Sequence, residues 1–177
     1  MKVRALIVAL ILLVSTLACS LLLPKPEIAV STFSAGAISF IIPEDWQKIN
    51  ASGDYYGLGV QKVVAIQGPA EPLPVAFFTV STSPLAGGAD LETRFSTAYE
   101  NIASLQNVTK KSFTSGKLSG FEISYRRPWG ESWWEFRDIW LEKDGVVYVL
   151  SFRAGQNESV KVAASFEAIL ASFHFKD

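Results

Sequence analysis

The chain of 177 residues has one cysteine, one histidine and one methionine. A lone cysteine cannot close an intramolecular disulfide, and it cannot supply a thiolate metal cluster. A Ser-His-Asp triad would have to recruit the only histidine, His174. Alternation along Phe173-His174-Phe175 groups the two phenylalanines and turns His174 away from them, so a surface or partly packed histidine is the simpler reading. Charge is scarce as well. Charged residues make up 19% of the chain, 16 basic against 17 acidic, for a formal net charge of −1. Loss of a leader carrying Lys2 and Arg4 would make the mature domain two charges more negative. That balance offers no basic stripe for nucleic acid. Gly-x-Gly-x-x-Gly, P-loop and Asp-x-Asp-x-Asp-Gly patterns are all missing, as are internal repeats and low-complexity tracts. No cofactor and no metal is expected from the sequence.

Apolar residues, in contrast, are plentiful at 49%. The length and composition fit one ordinary domain with an appendage. The appendage begins with a short positive stretch, Met1-Lys2-Val3-Arg4, followed by an apolar run over residues 5–14 and then Ser15-Thr16-Leu17-Ala18-Cys19. A charged start, an apolar stretch and small residues before a cut site define a secretory leader. With the lone cysteine directly after Ala18, it resembles a bacterial lipoprotein leader, in which Cys19 becomes the lipid-modified first residue. A second reading stays open, because residues 5–23 are uncharged and about 20 apolar residues span a bilayer as a helix. Lys2 and Arg4 would keep its N-terminus inside. Either way the membrane is the first partner, through lipid on Cys19 or through an uncleaved N-terminal helix, and the domain faces the extracytoplasmic side. The expected organisation is a signal peptide at 1–18, an anchor cysteine and proline-bearing linker at 19–35, and a single domain at 36–177.

Within the domain, Ile38-Ser39-Phe40-Ile41-Ile42 reads as a strand stopped by Pro43, and Trp46 is expected to fold back as a plug on the core. Residues 58–67 and 75–81 read as two more strands. Asp90 is placed to cap a helix whose apolar face is Leu91, Phe95, Ala98, Tyr99, Ile102 and Leu105. Lys110 to Thr114 suggests a short edge strand. Three strands then follow at 121–125, 133–141 and 146–153, the last two joined by Lys143-Asp144-Gly145, a tight-turn signal. In the last strand Val146, Tyr148, Leu150 and Phe152 share one face. Gln156 or Asn157 should cap a final helix with an apolar stripe of Val162, Phe166, Ile169, Leu170 and Phe173. The fold class is α+β, an antiparallel sheet packed by two main helices.

Four segments in this order carry a family resemblance: Phe40-Ile41-Ile42-Pro43-Glu44-Asp45-Trp46, Leu118-Ser119-Gly120-Phe121-Glu122, Gly145-Val146-Val147-Tyr148-Val149-Leu150, and the ending from Phe166 to Phe175. The chain resembles the PsbP/Mog-type α/β/α sandwich, especially its bacterial lipoprotein branch. The resemblance implies an antiparallel sheet covered by helices and a role as an accessory or binding subunit. It implies no shared catalytic residues.

One constellation stands out for binding. Arg126, Arg127, Trp129, Trp133 and Trp134 crowd around a hairpin connection, and arginine and tryptophan are the residue types enriched at binding hot spots. The competing reading places Trp133 and Trp134 on opposite faces of a sheet, with the arginines covering aromatic rings. A third rests Trp129 in the lipid interface. Function is therefore expected to be that of a non-catalytic, membrane-tethered module binding an unidentified protein or envelope component. The alternative is a hydrolase or ligand-processing enzyme with a carboxylate site, which would gather two or more of Asp54, Glu135 and Asp138 in one pocket.

Overall fold

A computed structural model describes residues 30–50, 61–69, 76–85, 89–100, 102 and 104–176. The leader, Cys19 and the proline-bearing part of the linker lie outside the described residues, as does Asp54.

Ten strands and two helices are described. The strands are β1 (Val30–Ala35), β2 (Ile38–Pro43), β3 (Gln47–Lys48), β4 (Gln61–Gln67), β5 (Ala76–Pro84), β6 (Gln106–Ser115), β7 (Leu118–Trp129), β8 (Ser132–Lys143), β9 (Val146–Gly155) and β10 (His174–Phe175). The helices are α1 (Leu91–Ala98) and α2 (Ser159–Ser172). A seven-stranded sheet runs in the order β3-β4-β5-β9-β8-β7-β6, and a three-stranded sheet in the order β1-β2-β10. Every pairing is antiparallel. This is the α+β architecture expected, an antiparallel sheet packed by two helices.

Both faces of the large sheet are covered, which is why its central strands are apolar on both sides. On one face lie α2 and the small sheet, over a core that includes Ile66, Phe78, Val80, Ile139, Leu141, Leu150 and Phe152. An aromatic chain ties these layers together. Phe33 packs on Phe40, Phe40 on Phe78, Phe78 on Phe152, and Phe152 on Phe166 of α2, with centroids 4.6–5.2 Å apart. Trp46 closes this chain against Phe166 at 5.5 Å, so the plug expected from the sequence is in place. The Ile41 amide donates to Ser172 Oγ at 3.0 Å and fixes the end of α2 on β2. The opposite face carries α1 over a second cluster formed by Ile123, Tyr125, Phe136, Trp140, Val147 and Val149, into which Phe95 and Tyr99 insert.

Local expectations and structure diverge in places. The segment expected to be linker contains β1, because Gly36 at φ +54° lets the chain turn back so that Phe33 pairs with Phe40. Helix α1 ends at Ala98. Tyr99 takes the C-cap, and Ile102 and Leu105 reach the same apolar cluster from non-helical backbone. The expected caps of α2 do not form. Glu158 occupies the N-cap without a side-chain hydrogen bond, and Ser159 Oγ donates to the Gln156 carbonyl instead. Strand β6 is an edge strand as expected, but it runs from Gln106 to Ser115. The caps and turns read from Asp90 and Asp144 do form: Asp90 Oδ1 accepts from the Thr93 amide at 2.7 Å, and Asp144 and Gly145 take φ values of +53° and +74°.

Candidate binding cleft and the arginine–tryptophan hairpin

The β7–β8 hairpin turns at Gly130 and Glu131, with Gly130 at φ +61° and Trp129 opposite Ser132. From that turn, the two-residue period of the strands sorts the sequence cluster onto two faces. Arg127, Trp129 and Trp134 lie on the α1 side of the sheet, and Arg126 and Trp133 lie on the α2 side.

On the α1 side the aromatic groups extend the second core. Trp134 stacks on Phe77 at 5.8 Å and lies 5.5 Å from Trp129. The Arg153 guanidinium is held between Phe77 and Trp129, at 4.8 and 4.6 Å from the ring centroids. Arg127 sits over Phe136 at 5.4 Å. Stacked guanidinium and indole planes gain both dispersion and ring-quadrupole attraction. The half-buried outer edges of Arg127, Trp129 and Trp134 are what this end of the sheet presents outward.

On the α2 side a cleft of about 400 Å³ opens between the helix and strands β7, β8 and β9. Phe152 and Ala154 form its floor, and Ala163 and Phe166 of α2 form its wall. Its polar rim is Arg126, Glu135, Arg137 and Glu167, with Asn107 and Ser124 at the β6–β7 end. Asn107 reaches the rim because a one-residue bulge in β6, with Asn107 at φ +52°, shifts the register between Gln106 and Thr109.

The two arginines of the rim differ. Arg137 donates to Glu122 at 3.0 Å and to Glu167 of α2, which clamps the helix onto the sheet. Glu122, whose side chain is 5% exposed, also receives Lys111 at 3.0 Å. Burial opposes the Arg137 charge, but the hydrogen bonds and charges of Glu122 and Glu167 outweigh it and hold its pKa above the usual arginine value. Arg126 makes none of these contacts. Its guanidinium rests over the Trp133 ring at 5.8 Å, and its buried Nε has no hydrogen-bond partner.

Of the carboxylates named for an enzyme site, Asp54 lies outside the described residues, and Glu135 and Asp138 are not brought together. Glu135 and Asp138 are three residues apart on β8 and therefore project from opposite faces. Asp138 is fully buried beneath α1. It accepts hydrogen bonds from Tyr99, Tyr125 and Ser151, and Trp140 donates to Tyr99 at 2.9 Å. His174 is exposed on β10, with Nδ1 2.9 Å from the Ser172 carbonyl oxygen. Among the described residues no three His, Cys, Asp or Glu side chains gather in a metal-binding arrangement. The cleft is not legible in any one stretch of the sequence, because its rim comes from four elements. The one local signal was a pair of oppositely charged residues, Arg126 and Glu135, on successive strands.

No family model and no curated protein matches the chain. Solved structures do. LpqN, involved in cell envelope biogenesis of Mycobacterium tuberculosis, aligns with a TM-score of 0.57 at 16% identity, over 85% of this chain and 92% of LpqN. Cyanobacterial PsbP from Synechocystis sp. PCC 6803 aligns with a TM-score of 0.57 at 15% identity, over 87% of this chain and 97% of its own. At such identities the likeness is one of fold. The four sequence segments, the layered sheet and these two neighbours agree that the chain has the PsbP-like fold.

Proposed function

We propose that the chain is a membrane-tethered, extracytoplasmic module that binds a partner without catalysing a reaction, anchored through lipid on Cys19. One observation carries the non-catalytic part. The register of β8 separates Glu135 from Asp138, and the hydroxyls of Tyr99, Tyr125 and Ser151 bond the latter in the core. Catalysis by paired carboxylates needs both groups in one solvent-reachable site. The docking surface in this reading is the hairpin end of the large sheet, where Arg127, Trp129 and Trp134 are half-buried beside Arg126 and Trp133. Placement in the envelope draws support from the leader pattern and from the envelope-biogenesis role named for LpqN. Among the described residues no helix is long and apolar enough to cross a membrane.

The test is site-specific photocrosslinking in native membranes. A photoreactive phenylalanine analogue in place of Trp134 is expected to capture one discrete species, and the capture should be lost when Arg127 and Trp129 are both replaced by alanine. A crosslinking pattern unchanged by those replacements would reject this surface.

A further inference from the structure

Arg126 and Glu135 stand directly opposite each other across β7 and β8. Opposite charges so placed on neighbouring strands ordinarily form an ion pair. These two do not. Arg126 leans over the ring of Trp133, two residues along β8 on the same face, and its Nε is buried there without a hydrogen-bond partner. Among the described residues the Glu135 carboxylate has neither a hydrogen bond nor an ion pair. The other arginine of the cleft is engaged twice over, by Glu122 and Glu167. The cleft therefore presents one cation and one anion side by side, above an apolar floor at Phe152 and against the ring of Phe166.

That arrangement selects among ligands. A simple anion on Arg126 would be repelled by Glu135, and a simple cation on Glu135 would be repelled by Arg126. A molecule bearing both charges close together satisfies each group, and its apolar remainder can cover the floor. A peptide carries its terminal charges far apart, whereas an α-amino acid carries them on one carbon. The cleft, at about 400 Å³, also falls in the range of about 300–1,000 Å³ typical of small-molecule sites.

We propose that this cleft binds a free α-amino acid with an apolar side chain. Its carboxylate lies on Arg126, its ammonium on Glu135, and its side chain on Phe152 and Phe166. The proposal rests on the reading of the chain as a binding module. Trp133 has a part in it, since the Arg126 guanidinium lies over its ring and not in an ion pair with Glu135.

Calorimetric titration of the detergent-solubilised full chain with three probes tests it: L-leucine, N-acetyl-L-leucine, which lacks the ammonium, and L-leucinamide, which lacks the carboxylate. L-leucine is expected to bind saturably, and each of the others about tenfold more weakly or worse, as befits loss of a charge-assisted hydrogen bond. Arg126→Gln should abolish the preference for leucine over leucinamide. Glu135→Gln should abolish the preference for leucine over its N-acetyl form. Thermal melting of both variants near the wild-type midpoint would establish that they remain folded. Absence of saturable leucine binding, equal binding of all three probes, or preferences unchanged in the variants would each overturn the proposal. The two readings fail separately. Partner capture at position 134 without leucine binding rejects the ligand and keeps the docking surface, and leucine binding without capture does the reverse.

Discussion

The hydroxyls of Tyr99 and Tyr125 converge on the same oxygen of Asp138, at 2.7 and 2.9 Å. Tyr99 caps the C-terminus of α1 and Tyr125 belongs to β7, so one buried carboxylate joins the helix to the sheet. The α1 layer is small, a helix of eight residues, and its burial alone gives it a modest hold. The hydrogen bonds to Asp138 set its position.

Tyr99→Phe and Tyr125→Phe should each lower unfolding free energy by about 1–3 kcal/mol, the usual cost of taking a hydrogen-bond partner from a buried polar group. Asp138→Ala strips three hydroxyls of their acceptor at once and should cost roughly 4 kcal/mol, a large part of a typical domain's stability. Urea denaturation followed by tryptophan fluorescence reads these changes. An Asp138→Ala midpoint equal to wild type would mean that the network contributes nothing net. The double variant of Tyr99 and Tyr125 should depart from additivity, since both share one acceptor atom.

Gly120 is required by backbone proximity. A Cβ at that position would lie 1.9 Å from the Trp140 carbonyl oxygen on the neighbouring strand, a contact that only movement of β7 against β8 can relieve. Gly120→Ala is therefore expected to cost about 3 kcal/mol, toward the upper end for overpacking. Gly116 provides the contrast, with φ +58° and open space around it, so that Gly116→Ala should cost only the left-handed strain of about 1 kcal/mol. Reversal of this order in thermal melts would refute the proximity account.

Asp90 links stability to pH. The Thr93 amide hydrogen bond holds its carboxyl below the usual aspartate value. A folded-state pKa below the unfolded one means that the cap stabilises α1 at pH values above the unfolded pKa of about 4. The contribution is lost as pH falls through the lower, folded value. The Thr93 amide resonance should titrate with the Asp90 carboxyl and cease to do so in Asp90→Asn, which still caps but does not ionise. A Thr93 amide that titrates identically in Asp90→Asn would refute the assignment.

The layered sheet and the final helix were legible because they rest on local patterns. The alternation of Val146, Tyr148, Leu150 and Phe152 and the helical spacing of Val162, Ile169, Leu170 and Phe173 each define a face without reference to any tertiary contact. Strand β1 was not legible, since Val30-Ser31-Thr32-Phe33 offers one large apolar residue and its pairing depends on β2. Helical spacing alone carries the expectation for α1 past Ala98, whereas Tyr99 takes the C-cap and bonds Asp138, 39 residues away in sequence. The separation of Glu135 from Asp138 was within reach, because an odd spacing on a strand always divides two side chains between faces. The open Arg126–Glu135 pair was out of reach. It depends on cross-strand register and on where the Trp133 ring lies.

Replacement of Cys19 tests the proposed lipid anchor. Cys19→Ala should abolish labelling by radioactive palmitate and processing after Ala18. Two or more acyl chains hold a protein stably, at about 0.8 kcal/mol per buried CH₂. Mass spectrometry of the native protein that finds Met1 intact and the Cys19 thiol unmodified would replace the lipid anchor with an uncleaved helix.

The pairing of β1 has a mechanical consequence. Among the described residues, force applied from the N-terminal side acts first on Val30, at the open end of the β1–β2 hairpin opposite Pro43, and so loads the ladder one rung at a time. Val30, Ser31 and Thr32 are exposed and give way at small cost, letting out about 10 Å of chain at about 3.3 Å per residue. Phe33, packed 4.9 Å from Phe40, then works as a detent. Since β1 belongs to the small sheet, a pull that stops there leaves every strand pairing of the seven-stranded sheet intact.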